Sequence, residues 1–336
     1  MASTRELNQS DPLVGPASAP ELLIDAQQLA QGDQLQRKSL AERVRRACSD
    51  SGFFYLDRAF SGESEAARAF TQMRRFFSLA DDDPRKAAVD NRRKPGSYGW
   101  MPMFGEPAYQ PGTRAHVESF DCGLGGDPNS AKELEGKNVW PELPGFRDDI
   151  QALWDRLAEL STRVLEVLAE SASLESDFFS TRCSTQELST LRLLHYPGGL
   201  CEDSSRDVGI SAHTDFECIS LLLQTGPGLE LTDVNGRWYE APADPDRVIV
   251  LLDDMLERWT NGYFQATGHR VRRTATSRYS IVLFAAVNAD QVIRPLEHFV
   301  STGRPARYAA VTQRQHIDAE LRRSEAYRTK SLSGNP

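Results

Sequence analysis

Two periods of hydrophobic and polar residues divide the chain. In the amino-terminal part, LAERVRRACSDSGFFYLD sets Leu40, Val44, Ala47 and Cys48 at helical spacing. Ser51-Gly52 ends that helix, and FFYL follows as a strand. ELLIDAQQL, just before it, alternates into a short strand, and EAARAFTQMRRFFSL is a second amphipathic helix closed by the polar ADDDP. Residues 144–180 carry the strongest helical signal, with Ile150, Leu153, Leu157, Leu160, Val164, Leu165 and Leu168 in one stripe expected to be core packing. From about residue 186 the period changes to two. ELSTLRLLHYP, HTDFECISLLLQ, LELTDVNGRWYEAP, RVIVLLDDML, YFQATGHRVRR and RYSIVLFAAVN read as successive short strands, with Asn235-Gly236 marking a hairpin turn. Six strands without intervening helices predict an antiparallel double-sheet barrel or jelly roll. A last helix, QRQHIDAELRRSEAY, is expected to pack outside it.

The fold class is therefore mainly β with flanking helices. Residues 1–20 read as a flexible arm without a hydrophobic signal core. Residues 21–336 read as one domain: an α/β region with substrate loops (21–130), supporting helices (144–180), the jelly-roll core (186–290) and a helical end (291–336). Residues 91–130 are rich in Gly, Pro and aromatics and follow neither period, which suits a functional loop or disorder.

Composition narrows the function classes. A formal charge of −9 argues against nucleic-acid binding, which needs clustered Lys and Arg. Runs such as Arg43, Arg45 and Arg46, or Arg270, Arg272 and Arg273, read as solvated faces. No apolar stretch reaches the roughly 18 residues of a spanning helix. The five cysteines (Cys48, Cys122, Cys183, Cys201 and Cys218) show no CxxC spacing and suit a reduced, cytoplasmic protein.

The chemistry begins in AHTDFECISLLLQ. Residues i and i+2 of a strand share a face, so His213 and Asp215 are expected to project together, with Ile219, Leu221 and Leu223 continuing inward. An imidazole and a carboxylate buried together are costly without a partner, and a divalent metal offsets that cost. His269 in ATGHRV, 54 residues beyond Asp215, is the candidate third ligand. Two histidines and one carboxylate form the facial triad of non-haem Fe(II) oxygenases, and the same donors suit zinc. Nine residues after His269, RYS places Arg278 and Ser280 on one face. A buried guanidinium needs an anion, and its fork matches a carboxylate. No acid in the neighbouring strands is an evident partner, so a ligand carboxylate is expected.

Candidate substrate contacts are Tyr98, Trp100, Met103, Phe104 and Arg114 in the aperiodic segment, together with Phe264 ahead of His269. Arg114 would fix an anionic group of the substrate. His195 should point away from the metal, and His116, His298 and His316 read as structural.

These segments, with HVESFDCG, NVWPELPGF and DDMLERWTNGYFQATGHRV, resemble the isopenicillin N synthase-like family of Fe(II)/2-oxoglutarate-dependent oxygenases. The likeness runs from about residue 22 to 325. It implies a double-stranded β-helix (jelly-roll, cupin-like) core and Fe(II) held by His213, Asp215 and His269. It also implies 2-oxoglutarate held at its distal carboxylate by Arg278, Ser280 and the hydroxyl of Tyr196, with O2 as oxidant and ascorbate as a candidate reductant. The expected reaction is hydroxylation, desaturation or cyclisation of a small molecule in microbial specialised metabolism, with no nucleic-acid or membrane partner. Two departures are ADPDR, where the family usually has a glycine, and ATG, where proline is common. Three other readings stay open: a co-substrate-free oxidase of the isopenicillin N synthase type, a zinc hydrolase, and a non-enzymatic metal-binding jelly roll. Oligomeric state is not legible.

Overall fold

The computed structural model describes residue 7 and residues 11–16, 22–30, 33–60, 64–93, 97–106, 109–124, 137–199 and 207–332. Its amino-terminal region contains β1 (Leu13–Pro16), β2 (Leu23–Asp25), α1 (Gln34–Asp50), β3 (Phe53–Asp57), α2 (Glu65–Phe77) and α3 (Pro84–Ala87). β4 (Gly99–Met101), β5 (Arg114–Ala115) and β6 (Glu118–Gly123) precede the long helix α4 (Phe146–Ser171). Next come β7 (Thr190–Tyr196), β8 (Asp207–Val208), β9 (Ile210–His213), β10 (Ile219–Gln224), β11 (Leu229–Thr232), β12 (Trp238–Glu240) and β13 (Val248–Leu252). The chain continues through α5 (Asp254–Trp259), β14 (His269–Val271), β15 (Arg278–Ala285), β16 (Val292–Ile293), β17 (Val311–Thr312) and α6 (Gln313–Leu332).

The larger sheet runs β2-β3-β13-β10-β15-β7-β6-β4 and the smaller β1-β12-β11-β14-β9. This is the mainly β, two-sheet core that the six strand patterns predict. Helices α1, α2 and α4 pack behind the larger sheet: α1 on β3, α2 on β7, and α4 on β10 and β15. Their apolar stripes explain this: Ile150, Leu153, Leu157, Leu160, Val164, Leu165 and Leu168 of α4 are all buried. Helix α1 starts at a capping box, in which Asp33 accepts from the Leu35 and Gln36 N–H groups and Gln36 Oε1 accepts from Asp33 N–H. The hairpin at Asn235-Gly236 forms as expected, with Gly236 at φ +81°.

Five expectations need correction. HTDFECISLLLQ is not one strand: β9 ends at His213 and β10 begins at Ile219. The intervening carbonyls of Asp215, Glu217 and Cys218 accept from the N–H groups of Asp254, Met255 and Asp253, and the chain crosses there from the small sheet to the large one. The strand expected over 263–273 shrinks to His269–Val271, because Thr267 Oγ1 bonds Gly52 O and Leu252 N in place of a ladder. The aperiodic segment contributes β4 and β6 to the large sheet, so it is partly barrel. The arm is also not wholly free: β1 pairs in parallel with β12, and Asp11 O accepts from buried Arg270, which pairs with Glu230 at 2.6 Å. Arg270 is thus no solvated residue. Arm positions 1–6, 8–10 and 17–20, and Cys201, lie outside the described residues.

Candidate active site

Strands β9 and β14 pair with His213 directly opposite His269, so the small sheet sets two imidazoles side by side. Asp215 follows on the turn out of β9. One ligand atom from each of the three residues lies within 4.8 Å of the others. Each histidine engages its Nδ1 with a backbone carbonyl, His213 with Ser211 O at 2.8 Å and His269 with Thr267 O at 3.1 Å. A neutral ring has one N–H, so these bonds fix the tautomer and leave both Nε2 lone pairs facing inward. The two Nε2 atoms stand 3.6 and 3.5 Å from the same oxygen, Asp215 Oδ1. Donors that share one ion at about 2.1 Å can be at most about 4.2 Å apart, so the set fits a metal. Burial, then the neighbouring His269, holds His213 well below the usual histidine range, which keeps it a neutral ligand. Tyr109 stacks on the His213 ring at 4.1 Å and 5°.

Behind the triad, Ser220 Oγ lies 2.7 Å from Asp215 Oδ2 and 2.9 Å from Asp253 Oδ2. A hydroxyl carries one proton, so one of these contacts must be donated by an acid. Burial, then Asp215 and Glu217, pushes Asp253 far above the ordinary carboxylate range. Protonated Asp253 therefore donates to Ser220, and Ser220 donates to Asp215. Ser220→Ala should weaken iron binding by about 10–100-fold, the usual cost of losing support behind a ligand. Chelator competition measures this, and an unchanged affinity would remove Ser220 from the site.

Arg278 opens β15 opposite Tyr196 at the end of β7, and Ser280 faces the same way one inward position along. Arg278 is 1% exposed. Its Nη2 donates to Gln224 Oε1 at 2.7 Å and contacts Ser280 Oγ at 3.3 Å, and its guanidinium lies 4.4 Å from the Tyr196 ring centre. Nε and Nη1 have no partner among the described residues. Burial pushes the pKa of this cation down, a cost that a bound carboxylate would offset. The ligand acceptor expected for Arg278 is thus the one its surroundings lack.

Triad and arginine line one cavity of about 300 Å3. Inward positions of β7 (Thr190, Arg192, Leu194, Tyr196) and β15 (Arg278, Ser280, Val282, Phe284) form its floor, stepping outward from Arg278 to Phe284. The outer part also takes in Tyr98, Asp121, Phe216, Glu217, Ile317 and Leu321. Ile317 and Leu321 belong to α6, so the last helix reaches the cavity as well as packing outside the barrel. Glu217 is pushed up to about 8, by burial first and Asp215 second.

Of the six sequence candidates for substrate contact, Tyr98 lines this cavity. Trp100 is cross-strand to Phe120 on the opposite face of the sheet; its Nε1 donates to Glu118 Oε2 and Lys86 lies over its ring. Phe104, at φ +63°, packs on His116 and under Arg114, which is paired with Asp207 at 2.8 and 3.0 Å. Met103 is half-buried outside the cavity lining, and Phe264 is buried in the core beside Tyr263. His195 turns outward, bonding Glu118 and Ser277, and His316 bonds Asp254.

Comparison with known proteins decides the family. The 2OG-Fe(II) oxygenase superfamily description matches residues 188–286, and the non-haem dioxygenase amino-terminal description matches 23–143. The 2-oxoglutarate-dependent dioxygenase citB of Monascus ruber is 33% identical over 276 residues, covering 77% of this chain and 82% of that protein. This chain belongs to the 2OG-Fe(II) oxygenase superfamily. Clavatol oxidase claD of Penicillium crustosum is 30% identical over 318 residues, covering 86% and 91%. Among solved structures, a full-length Neurospora crassa protein in complex with alpha-KG has the same fold, with TM-score 0.77, 23% identity and coverage of 89% and 95%. A putative 2OG-Fe(II) oxygenase from Caulobacter crescentus has TM-score 0.74 and 28% identity, covering 86% and 95%.

Membership makes this oxygenase an Fe(II)- and 2-oxoglutarate-dependent enzyme, and its core is the double-stranded β-helix that the resemblance implied. The donor set, with its fixed tautomers, fits iron. No helix among the described residues is long and apolar enough to cross a membrane.

Proposed function

We propose that His213, Asp215 and His269 hold the iron and that Arg278 and Ser280, beside Tyr196, hold the distal carboxylate of 2-oxoglutarate. The outer cavity then receives a small molecule of microbial specialised metabolism. The observation that carries this is the buried guanidinium, with two nitrogens unpartnered, at one end of the cavity that also contains the triad. Fungal relatives of the dioxygenase and clavatol oxidase kind support the metabolic setting. Iron, held by the triad, would supply the oxidative chemistry with O2 as oxidant: 2-oxoglutarate would be oxidised to succinate and CO2, and the substrate hydroxylated, desaturated or cyclised. The protein's part is to position and to exclude water. Asp215 is steadied by Ser220, the histidine rings by their carbonyl bonds, and the keto acid by Arg278. Phe216, Phe284 and Ile317 supply the dry wall against which a substrate can be held. A cytoplasmic location is proposed on the buried free thiols Cys48, Cys122, Cys183 and Cys218.

Succinate measured against product over a panel of small aromatic and amine compounds tests this function. Substrate-dependent succinate formation is expected, and turnover without 2-oxoglutarate would overturn the proposal. The same assay locates the substrate. Phe284→Ala should raise 2-oxoglutarate consumption per product severalfold. Trp100→Ala should instead destabilise the fold by about 3–5 kcal/mol, as for other buried aromatics, with the ratio unchanged. Unaltered coupling in Phe284→Ala would place the substrate elsewhere.

A further inference from the structure

The outer cavity holds a cation for which the iron and 2-oxoglutarate have no use. Arg192 stands two inward positions along β7 from Tyr196. Four residues of strand span roughly 13 Å, which puts it beyond the reach of a keto acid anchored at Arg278. Its Nε and Nη2 donate to the two oxygens of Asp121 at 2.9 and 2.8 Å, and its Nη1 donates to Glu106 Oε2 at 3.1 Å. The β6–β7 register enforces the first pair, since Asp121 lies directly opposite Arg192. The other Glu106 oxygen accepts from Ser119 Oγ. Every carboxylate oxygen of the cluster therefore has a donor. The guanidinium is not used up in return. It carries five N–H groups, and its three bonds leave one on each Nη without an acceptor among the described residues. Arg192 and Asp121 line the cavity and Glu106 does not. The Arg192 side chain is 23% exposed, so its open part belongs to the cavity wall.

Charge and hydrogen-bonding capacity constrain the ligand separately. One cation faces two carboxylates, so the cluster has net negative charge and disfavours an anion. What it lacks is an acceptor for N–H groups, which an organic cation does not supply. An uncharged oxygen meets both conditions. We propose that Arg192 recognises the substrate, and that the substrate is an uncharged, ring-sized compound whose carbonyl-type oxygen accepts from the free Nη N–H groups. Its apolar body lies against Phe284, whose ring centre is 5.7 Å from the guanidinium carbon, and against Phe216 and Ile317. Asp121 and Glu106 set the selectivity, because they cancel the charge that would otherwise draw a carboxylate to Arg192. Arg114, the residue expected to anchor an anion, is on the surface with Asp207 and brings no second cation to the cavity. This inference rests on the iron and 2-oxoglutarate assignment above, because that assignment reserves Arg278 for the co-substrate.

Three planar probes of one shape and different charge test it in the wild type: benzamide, benzoate and benzamidinium. Each is titrated calorimetrically, at neutral pH, into the full chain loaded anaerobically with Fe(II) and 2-oxoglutarate. Benzamide should bind about tenfold or more tighter than either charged probe, as for a hydrogen bond to a charged donor. Arg192→Lys keeps the positive charge, but its three N–H groups are taken up by the two acids. It should cost benzamide about tenfold and leave toluene, which has no acceptor, within about twofold. Benzoate or benzamidinium bound as tightly as benzamide by wild type would overturn the inference. So would the absence of benzamide binding, or an Arg192→Lys variant that loses no more affinity for benzamide than for toluene. The wild-type series decides the matter even if that variant does not fold. A 2-oxoglutarate titration in the same series separates the two levels. A wild type that binds no 2-oxoglutarate overturns the site assignment, whereas one that binds it without preferring benzamide overturns only the substrate class.

Discussion

Replacing His213, Asp215 or His269 by alanine should abolish turnover and reduce iron content to background, while the metal-free protein keeps its stability to within about 1 kcal/mol. The two effects separate because the site is poised for a metal. Two Nε2 lone pairs and Asp215 Oδ1 converge with no proton between the rings and the acid to hold them together. Without metal, a buried carboxylate is a cost rather than a support, so its loss should not unfold the chain. Metal analysis and thermal melting of the three purified variants measure this. Full iron content in any one of them would remove that residue from the ligand set.

The second large effect is expected at Arg278. Arg278→Ala should weaken 2-oxoglutarate binding by about 2–4 kcal/mol, as for loss of one partner of a buried charge pair. This corresponds to roughly 30- to 900-fold in Kd. Arg278→Lys should recover little, since an ammonium cannot reproduce the planar fork that Gln224 and the Tyr196 ring hold in place. The apo variant should be no less stable than wild type, because the guanidinium is buried with two nitrogens unpartnered. Calorimetry with 2-oxoglutarate checks the affinities. An Arg278→Lys affinity equal to wild type would show that charge alone, not geometry, holds the co-substrate.

The residues that meet at the proposed iron site are legible in the sequence because HTD and HRV are short motifs. Their meaning survives the error in strand length: the turn at 214–218 removes the shared strand but still brings Asp215 to both histidines. Arg278 and Ser280 are legible for a related reason, since both belong to one uninterrupted strand. Extending the same alternation would have reached more of the cavity. Two inward steps back from Tyr196 lie Leu194 and Arg192, and two beyond Ser280 lie Val282 and Phe284. A charged residue at an inward position of an apolar strand is a signal in its own right. Asp121 is different. It enters the cavity through cross-strand register with Arg192, which no local pattern in FDCG encodes. Trp100 illustrates the converse, because its neighbour Gly99 pairs with Asp121 and the ring is thereby turned to the far side of the sheet. Ile317 and Leu321 mark an apolar face of α6, but helical spacing says nothing of where that face docks.

Anaerobic titration of the Fe(II)-loaded protein with 2-oxoglutarate, followed by visible absorption, bears most directly on the shared iron and co-substrate site. Wild type should develop a metal-to-ligand charge-transfer band that saturates with the keto acid. Asp215→Ala should develop none, and Arg278→Ala should require far more 2-oxoglutarate to reach the same intensity. A wild type without the band, or a band of unchanged midpoint in Arg278→Ala, would contradict the account.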